Sequence, residues 1–252
     1  MRRSLLTTVF AAALAIAIVG PGVSAQAGQE QGTPSADEIV AKNIAAKGGA
    51  DKLKSIDTVR ITAAATVQGT VTPMVIELKR PNLRRQEVTL NGQKVDQTFD
   101  GTNGWLLNPS LGAQAVQMPA MQSAAMKEES EFDSPLLDYK AKNVKVALVG
   151  TEDVEGRQAY HLKVTTKDGA SRDYYLDANT GLEFRVDGPI QQNGIRGTLS
   201  VSMSDYRDVE GVKMPFSLKQ SLNGQPVADL RVSTVELNVP LDASLFRLGD
   251  RK

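Results

Sequence analysis

The segment QMPAMQSAAMKEESEFDSPLLDY, residues 117–139, decides the fold, because it is the one long helix-like stretch inside a sequence otherwise rich in hairpins. Pro119 suits the first position of a helix, and Met118, Met121 and Ala125 recur at helical spacing. A glutamate-rich stretch follows, and the next proline ends the pattern. The segment is therefore predicted to form a helical insertion.

This insertion, about residues 117–140, has the character of a lid. Methionine is unbranched and polarizable, so a face that carries Met118, Met121 and Met126 can repack against apolar ligands of variable shape. An ordinary core helix is the alternative interpretation, since methionine at helical spacing is commonly just packing.

Outside the lid, the hydrophobic pattern changes to a period of two. Thr58–Gln68 alternates apolar and polar side chains, which predicts a strand with one buried and one wet face. The apolar face carries Val59, Ile61, Ala63, Ala65 and Val67. Small alanines are typical of a wall that borders a cavity, although a closely packed helix would explain them equally well.

Turn residues that tolerate positive φ punctuate the rest of the chain. The clearest pairs are Asn91-Gly92, Glu155-Gly156, Asp168-Gly169, Glu210-Gly211 and Asn223-Gly224. They separate about a dozen short strands in meander order, which predicts an antiparallel barrel or a strongly curved sheet.

The N-terminal region predicts export. Arg2 and Arg3 precede the apolar run Leu5–Val19, and small residues end at Ala25, so residues 1–25 are predicted to be a signal peptide. Residues 26–34 are polar and are expected to be a disordered tether. A helix is then predicted from a Ser35 cap to the glycines at 48 and 49. It opens a single domain that spans residues 35–248, and a short tail, 249–252, follows the domain.

Composition limits the function classes. The chain has no Cys, which excludes a lipidated N-terminus, disulfides and thiol catalysis. Loss of Arg2 and Arg3 leaves 29 − 2 = 27 basic against 29 acidic residues. This balance gives no broad basic surface, so no nucleic-acid partner is expected. The mature protein is predicted to be a soluble, monomeric periplasmic protein.

The sequence offers little material for catalysis. His161 is the single histidine, and it shares a strand face with Ala159 and Lys163, opposite the larger apolar side chains, so it is expected to face solvent rather than to act as a base. No metal site and no cofactor are predicted, because the carboxylate pairs lie at turns or on wet strand faces and no Gly-rich phosphate loop joins a strand to a helix. The protein is predicted not to be an enzyme. A glycan-active enzyme with two acids is the third choice, since such pairs are assembled by the fold.

Four segments resemble one known family. They are ADEIVAKNIAAKGGADKLKSIDTVRI (36–61), FDGTNGWLLNP (99–109), RDYYLDANTGLEFRVD (172–187) and LNVPLDASLFRL (237–248). Together they resemble the opening helix and first strand, the Asp-Gly hairpin, a later strand–turn–strand unit and the terminal docking Phe of the periplasmic lipoprotein carriers. This LolA/LolB-like family comprises outer-membrane lipoprotein-sorting proteins.

The resemblance implies an α+β fold that is mainly β: an incomplete, strongly curved antiparallel barrel whose open side is covered by helices. It implies an apolar cavity for the acyl chains of lipoproteins or other lipids, with transient contacts to envelope membrane proteins. The candidate cavity residues are Ala63, Ala65, Val67, Ile76, Leu78, Trp105, Leu107, Met118, Met121 and Met126. Carriers of this family also use a cavity arginine to control opening, and Arg60, Arg80, Arg84 and Arg85 are candidates for it.

The leading functional prediction is a non-enzymatic periplasmic carrier or binder of lipids and lipidated proteins. The alternative is an envelope lipid-sensing regulatory or scaffolding module on the same fold, for which a second folded domain would be the distinguishing feature.

Overall fold

The computed structural model of the chain describes residues 33–192 and 195–250. The predicted signal peptide and most of the tether lie outside these residues. Three helices are α1 (Ala36–Ala46), α2 (Ala50–Lys54) and α3 (Ala120–Glu129). Two short 3-10 helices, Ala243–Phe246 and Leu248–Asp250, follow the last strand.

Thirteen strands account for most of the remaining described residues. The first six are β1 (Thr58–Val67), β2 (Thr70–Lys79), β3 (Leu83–Leu90), β4 (Gln93–Phe99), β5 (Gly104–Leu107) and β6 (Val116–Gln117). The other seven are β7 (Lys145–Val154), β8 (Arg157–Thr165), β9 (Ser171–Asp177), β10 (Glu183–Gln192), β11 (Ile195–Val209), β12 (Val212–Leu222) and β13 (Gln225–Leu237).

All thirteen strands belong to one antiparallel sheet of two meanders. One meander runs outward from β1 to β6, the other outward from β13 to β7, and β1 pairs with β13 where they meet. The outermost strands, β6 and β7, do not pair with each other, so the curved sheet stays open. The predicted fold class, an incomplete antiparallel barrel with helices, is confirmed.

Glycine-containing turns produce the meander as predicted. Asn91 and Gly92 both have positive φ, 50° and 78°, and the Glu155-Gly156, Glu210-Gly211 and Asn223-Gly224 turns repeat this pattern. Two consecutive positive φ values match the twist of the flanking strands and hold them in a tight hairpin. Gln68-Gly69, which joins β1 and β2, has the same conformation.

The sheet has a concave face, which the three helices cover, and a convex face. Antiparallel partners point to the same side of a sheet. Val59 lies between Leu78 and Leu237, and Ala63 lies between Met74 and Val232, so these side chains share the concave face. Arg60 and its partner Glu77 share the convex face.

Helix α1 closes one end of the concave face. Its Ser35 cap forms the reciprocal capping box with Glu38, which confirms the predicted start. Ile39 and Val40 pack with Leu162 and other buried side chains of β8 and β9 in one core cluster.

Glycine is required where α1 turns into α2. Gly48 has φ +123°, and a Cβ there would lie 2.3 Å from the carbonyl oxygen of Gly211. The turn after α1 is therefore pressed directly against the β11–β12 hairpin, and only glycine fits this approach.

A buried polar contact fixes α1 on the sheet. Asn43, fully buried, donates a hydrogen bond of 2.7 Å to Glu183, and Lys47 pairs with the other oxygen of Glu183 at 2.5 Å. Burial acts to raise the pKa of Glu183, but the charge of Lys47 and these hydrogen bonds outweigh it and hold the pKa below its usual range. The first helix and β10 are thus joined as one rigid end of the molecule.

The predicted lid has a shorter helix than the sequence indicated. Pro119 is the N-cap rather than the first helical residue, and α3 ends at Glu129, before Pro135. The helical interpretation beyond Glu129 is wrong, because the chain there turns to place Leu136 and Leu137 in buried positions. Tertiary packing determines the path of this stretch instead of helical propensity.

The C-terminal segment packs on the sheet up to Asp250, the last residue that the structure describes. Phe246 and Leu248 are fully buried, which confirms the expected docking of the final Phe. Gly249 and Asp250, predicted as part of a tail, belong to the second 3-10 helix. Gly249 lies against the indole of Trp105, where a Cβ would come 2.4 Å from a ring carbon.

Candidate functional site

The middle of the concave face carries aliphatic side chains that are not fully buried in the core. Each is only partly buried, and none belongs to the three core clusters found among the described residues. This set, called the open apolar patch below, comprises Ala65, Met74, Ile76, Val88, Val201, Met203, Leu218, Leu230 and Val232. Partly exposed apolar surface in a concavity can bind an apolar ligand without first breaking the core.

Five of the ten predicted cavity residues share the concave face. Ala65 and Ile76 lie in the open apolar patch, and Ala63, beside them, is buried. Leu78 packs into the core near α2. Val67 stands at the end of β1 and is 48% exposed.

The three predicted lid methionines do not form one face. Met118 and Met126 are buried together against Phe99, whereas Met121 is 61% exposed, so its assignment to the cavity is wrong. Met118 precedes the helix, and residues 121 and 126 are about 140° apart around a helix axis with 3.6 residues per turn. Helical spacing therefore cannot place all three on one side.

Trp105 and Leu107 lie on the opposite face from the other candidates. Trp105 pairs with Thr98, and Leu107 pairs with Asp96, which is in turn opposite Glu87 on the convex face. The Trp105 indole donates a 2.7 Å hydrogen bond to Asp100. Both cavity assignments are wrong, because the strand register turns these two side chains away from the concavity.

Helix α3 crosses the concave face from one wall to the other. Its first turn packs beside β5, where Gly104 donates a 2.6 Å hydrogen bond to Ser123. At its last turn, Glu129 lies 3.1 Å from Arg84 of β3, and Glu128 pairs with Arg172 of β9. The term lid is used below for the whole connection between β6 and β7, Met118–Val144, which contains this helix and extends slightly beyond the predicted insertion. These two ion pairs are called the lid latch.

Below α3, a second contact holds the base of the lid. Arg80 donates two hydrogen bonds to the carboxylate of Asp133, at 2.8 and 2.7 Å, and its guanidinium lies 4.4 Å from the centre of the Phe132 ring. These hydrogen bonds hold the pKa of Asp133 below its usual range. The base of the lid is thus tied to the end of β2 by a bidentate ion pair.

The four candidate arginines have separate positions. Arg60 and Arg85 pair with Glu77 on the convex face, and Arg80 binds the lid base. Arg84 is the one that lies on the concave face beneath α3, with 8% of its side chain exposed. The sequence analysis missed Arg172. The signal for it is the acidic last turn of α3: carboxylates there are disfavoured by the helix dipole, so a basic partner from elsewhere in the chain is expected.

Polar residues elsewhere form local contacts. His161 is 15% exposed and lies between Glu152 and Asp173, with ring nitrogen to oxygen distances of 2.7 and 2.9 Å. Its ring stacks on Tyr175 of the convex face.

The described part of the chain holds no group of three or more acidic or histidine side chains arranged for a metal ion. Within the same part, no helix has the length and apolar character needed to cross a membrane.

Two clefts border the lid. One, of about 640 Å³, lies between α1 and residues 136–141, and its lining includes Ile44, Leu137 and Tyr139. The other, of about 360 Å³, lies beside α3 and includes Met118, Ser123 and Lys127. Neither is lined by the open apolar patch, which is a separate surface.

No protein-family model matches the sequence, and a search of curated proteins gives no significant match. The structure is similar to a LolA superfamily protein from Nitrosomonas europaea, with a TM-score of 0.56, 13% identity, and coverage of 85% of this chain and 98% of that chain. It is similar to a DUF1329 family protein from Desulfovibrio piger, with a TM-score of 0.57, 14% identity, and coverage of 84% and 95%.

A third similar structure is a domain assigned as an outer membrane lipoprotein-sorting protein, from Vibrio parahaemolyticus. Its TM-score is 0.55 at 12% identity, with coverage of 83% of this chain and 95% of that chain. The chain has a LolA-like fold, which confirms the fold expected from its sequence motifs.

Proposed function

We propose that this protein is a periplasmic carrier or binder of lipids or lipidated proteins, which holds acyl chains against the open apolar patch beneath α3. The observation that carries the proposal is the patch itself: aliphatic side chains, only partly buried, on the concave face that α3 crosses between its two ion pairs and β5. One similar structure is named for lipoprotein sorting, which supports the same ligand class.

Hydrophobic burial supplies the affinity. Each CH₂ removed from water contributes about 0.8 kcal/mol, so a 16-carbon chain offers roughly 12 kcal/mol before the costs of binding. A carrier must also release its ligand. A lid that covers the patch in the empty protein and is displaced by the chain lowers the net affinity and permits transfer.

The remaining features of the proposal follow from export. The protein works as a soluble periplasmic monomer, without catalysis, metal or cofactor, and meets envelope membrane proteins only transiently. Native mass spectrometry with organic extraction, applied to protein purified from its own periplasm, identifies the bound lipid.

Probe binding tests the patch directly. An environment-sensitive fatty acid is titrated into the wild type and into Ile76→Gln. We expect the variant to bind at least about tenfold more weakly, or ~1.4 kcal/mol, because it places an amide on the patch. Val75→Gln is the matched control, since Val75 is the next residue but faces the convex side with Glu87. Equal weakening in both variants, or no probe binding to the wild type, would contradict the proposal.

A further inference from the structure

The lid latch joins two arginines that are far apart in the sheet. Six strands lie between β3, which carries Arg84, and β9, which carries Arg172. The two arginines nevertheless pair with consecutive residues of α3, Glu129 and Glu128. The curvature of the sheet therefore brings two positive charges to the same turn of α3, on the concave face that carries the open apolar patch.

Arg84 is in an unusual environment for an arginine. Its side chain is 8% exposed, and its neutral contacts are a 2.7 Å hydrogen bond to Gln86 and a 3.8 Å contact with the sulfur of Met126. Burial lowers the pKa of Arg84, and the charge of Glu129 only partly opposes this. A buried cation with one weak acidic partner is a site at which a better-placed anion binds favourably.

The glutamates of the latch are exchangeable partners. Glu128 and Glu129 are 57% and 56% exposed, so water competes for both carboxylates. They also occupy the last turn of α3, where the negative end of the helix dipole disfavours acidic side chains. Neither glutamate is placed to stabilise its own helix, and each can return to solvent at little cost.

A lipid with an anionic headgroup has the chemistry to replace them. Its chains would lie on the open apolar patch, and its charged oxygens would reach arginines whose planar guanidinium groups bind phosphate and carboxylate in a bidentate manner. We propose that Arg84 and Arg172 form the headgroup site of an anionic phospholipid, and that Glu128 and Glu129 occupy this site in the empty protein as internal competitors of the phosphate. This inference rests on the proposed function and names its substrate class.

The competition has opposite effects in two sets of variants. Loss of an arginine removes the site and weakens binding of the anionic lipid. Loss of the glutamates removes the competitor and strengthens it. A merely structural latch would instead weaken binding, or leave it unchanged, in both sets.

Two fluorescent phospholipids with identical acyl chains separate headgroup from chain recognition. NBD-labelled phosphatidylglycerol, with a net negative charge, and NBD-labelled phosphatidylcholine, which is zwitterionic, are titrated into the full mature protein. We expect the wild type to prefer the anionic lipid by about tenfold, the size of one charge-assisted contact. Inorganic phosphate, added alone as a competitor, should not displace the lipid at equal concentration, because it lacks the chains.

The variants carry the sharper outcome. Arg172→Gln and Arg84→Gln should each reduce the preference for the anionic over the zwitterionic lipid to within about twofold. Because Arg172 is 35% exposed, its substitution should disturb folding less than that of Arg84. Arg231→Gln, on the exposed surface of β13, should keep the wild-type preference. The double variant Glu128→Gln/Glu129→Gln should bind the anionic lipid several-fold more tightly, whereas Glu131→Gln, an exposed glutamate of the same lid, should not.

The outcomes separate the two proposals. Equal binding of both lipids by the wild type would overturn the headgroup site and leave the lipid carrier intact. An unchanged preference in Arg172→Gln, or weaker binding in the double glutamate variant, would also overturn it. Failure of both lipids to bind would overturn the carrier function and this inference with it.

Discussion

At the scale of single residues, the position of each arginine determines what it does. Arg84 and Arg85 are adjacent, yet the first lies on the concave face under α3 and the second pairs with Glu77 on the convex face. A shift of one residue in strand register would exchange these roles. The sequence could not choose among the four candidate arginines, since alternation along a strand does not tell which of its two faces the lid helix will cover.

The ion pair between Arg80 and Asp133 makes the lid base sensitive to acid. The pKa of Asp133 is depressed in the folded protein, so the stabilisation is present above its unfolded pKa and is lost as the pH falls through the lower, folded value. Asp133→Asn should cost about 1 kcal/mol at pH 7, allowing for solvent screening of a partly exposed pair. Urea unfolding measured at pH 7 and at about pH 3 should show that the difference in unfolding free energy between the wild type and Asp133→Asn becomes smaller in acid.

Asp138→Asn is the control for this measurement. Asp138 belongs to the same lid but forms an exposed pair with Lys54, 45% and 48% exposed. Its loss should leave the unfolding midpoint nearly unchanged at both pH values. If the difference in unfolding free energy between the wild type and Asp133→Asn did not change with pH, the ion pair would not be the cause of that difference.

At the scale of elements, patterns with a strong local cause were predictable. Alternation and glycine turns predicted the meander, and the Ser35 cap predicted the start of α1, because each depends on neighbours in sequence. The lid was predicted only in part. Its helix ends at Glu129, and the rest follows long-range contacts such as Arg80 with Asp133, which no local pattern contains.

The convex position of β5 side chains gives a spectroscopic prediction. Trp105 is the single tryptophan, and its indole contacts Gly249 and Asp100. Saturation with a non-fluorescent lipid should leave its emission unchanged, because the ligand binds on the other side of the sheet. Gly249→Ser should shift the emission, since its side chain displaces the indole. A ligand-induced shift in the wild type would contradict the assigned face.

At the scale of the whole molecule, the lid has a second role as a connection. It is the stretch of chain that joins the meander β1–β6 to the meander β7–β13. A second connection is the ladder between β1 and β13, registered from Val59↔Leu237 to Thr66↔Asp229. Side-chain packing also joins the two halves, since α1, which precedes β1, packs on β8 and β9, and Gly249 packs against Trp105 of β5.

Cleavage within the lid tests this arrangement. Lys127 is exposed in α3, so limited trypsin treatment should cut there before it cuts the sheet. We expect the two fragments to co-elute in size-exclusion chromatography under native conditions and to separate in urea. Separation without denaturant would show that these noncovalent contacts cannot hold the halves together. Lipid binding should make the cut faster, because displacement of α3 exposes it further.

The pairing of the first strand with the last has a consequence for how the chain folds. Residues near the two ends must meet before the sheet is whole, and such long-range contacts form slowly. Until β13 arrives, β1 is an unpaired edge whose free backbone groups can template association with another chain. For a chain that emerges with its N-terminus first, the vulnerable species is the early half-sheet β1–β6, and its lifetime is set by the time needed to deliver the rest.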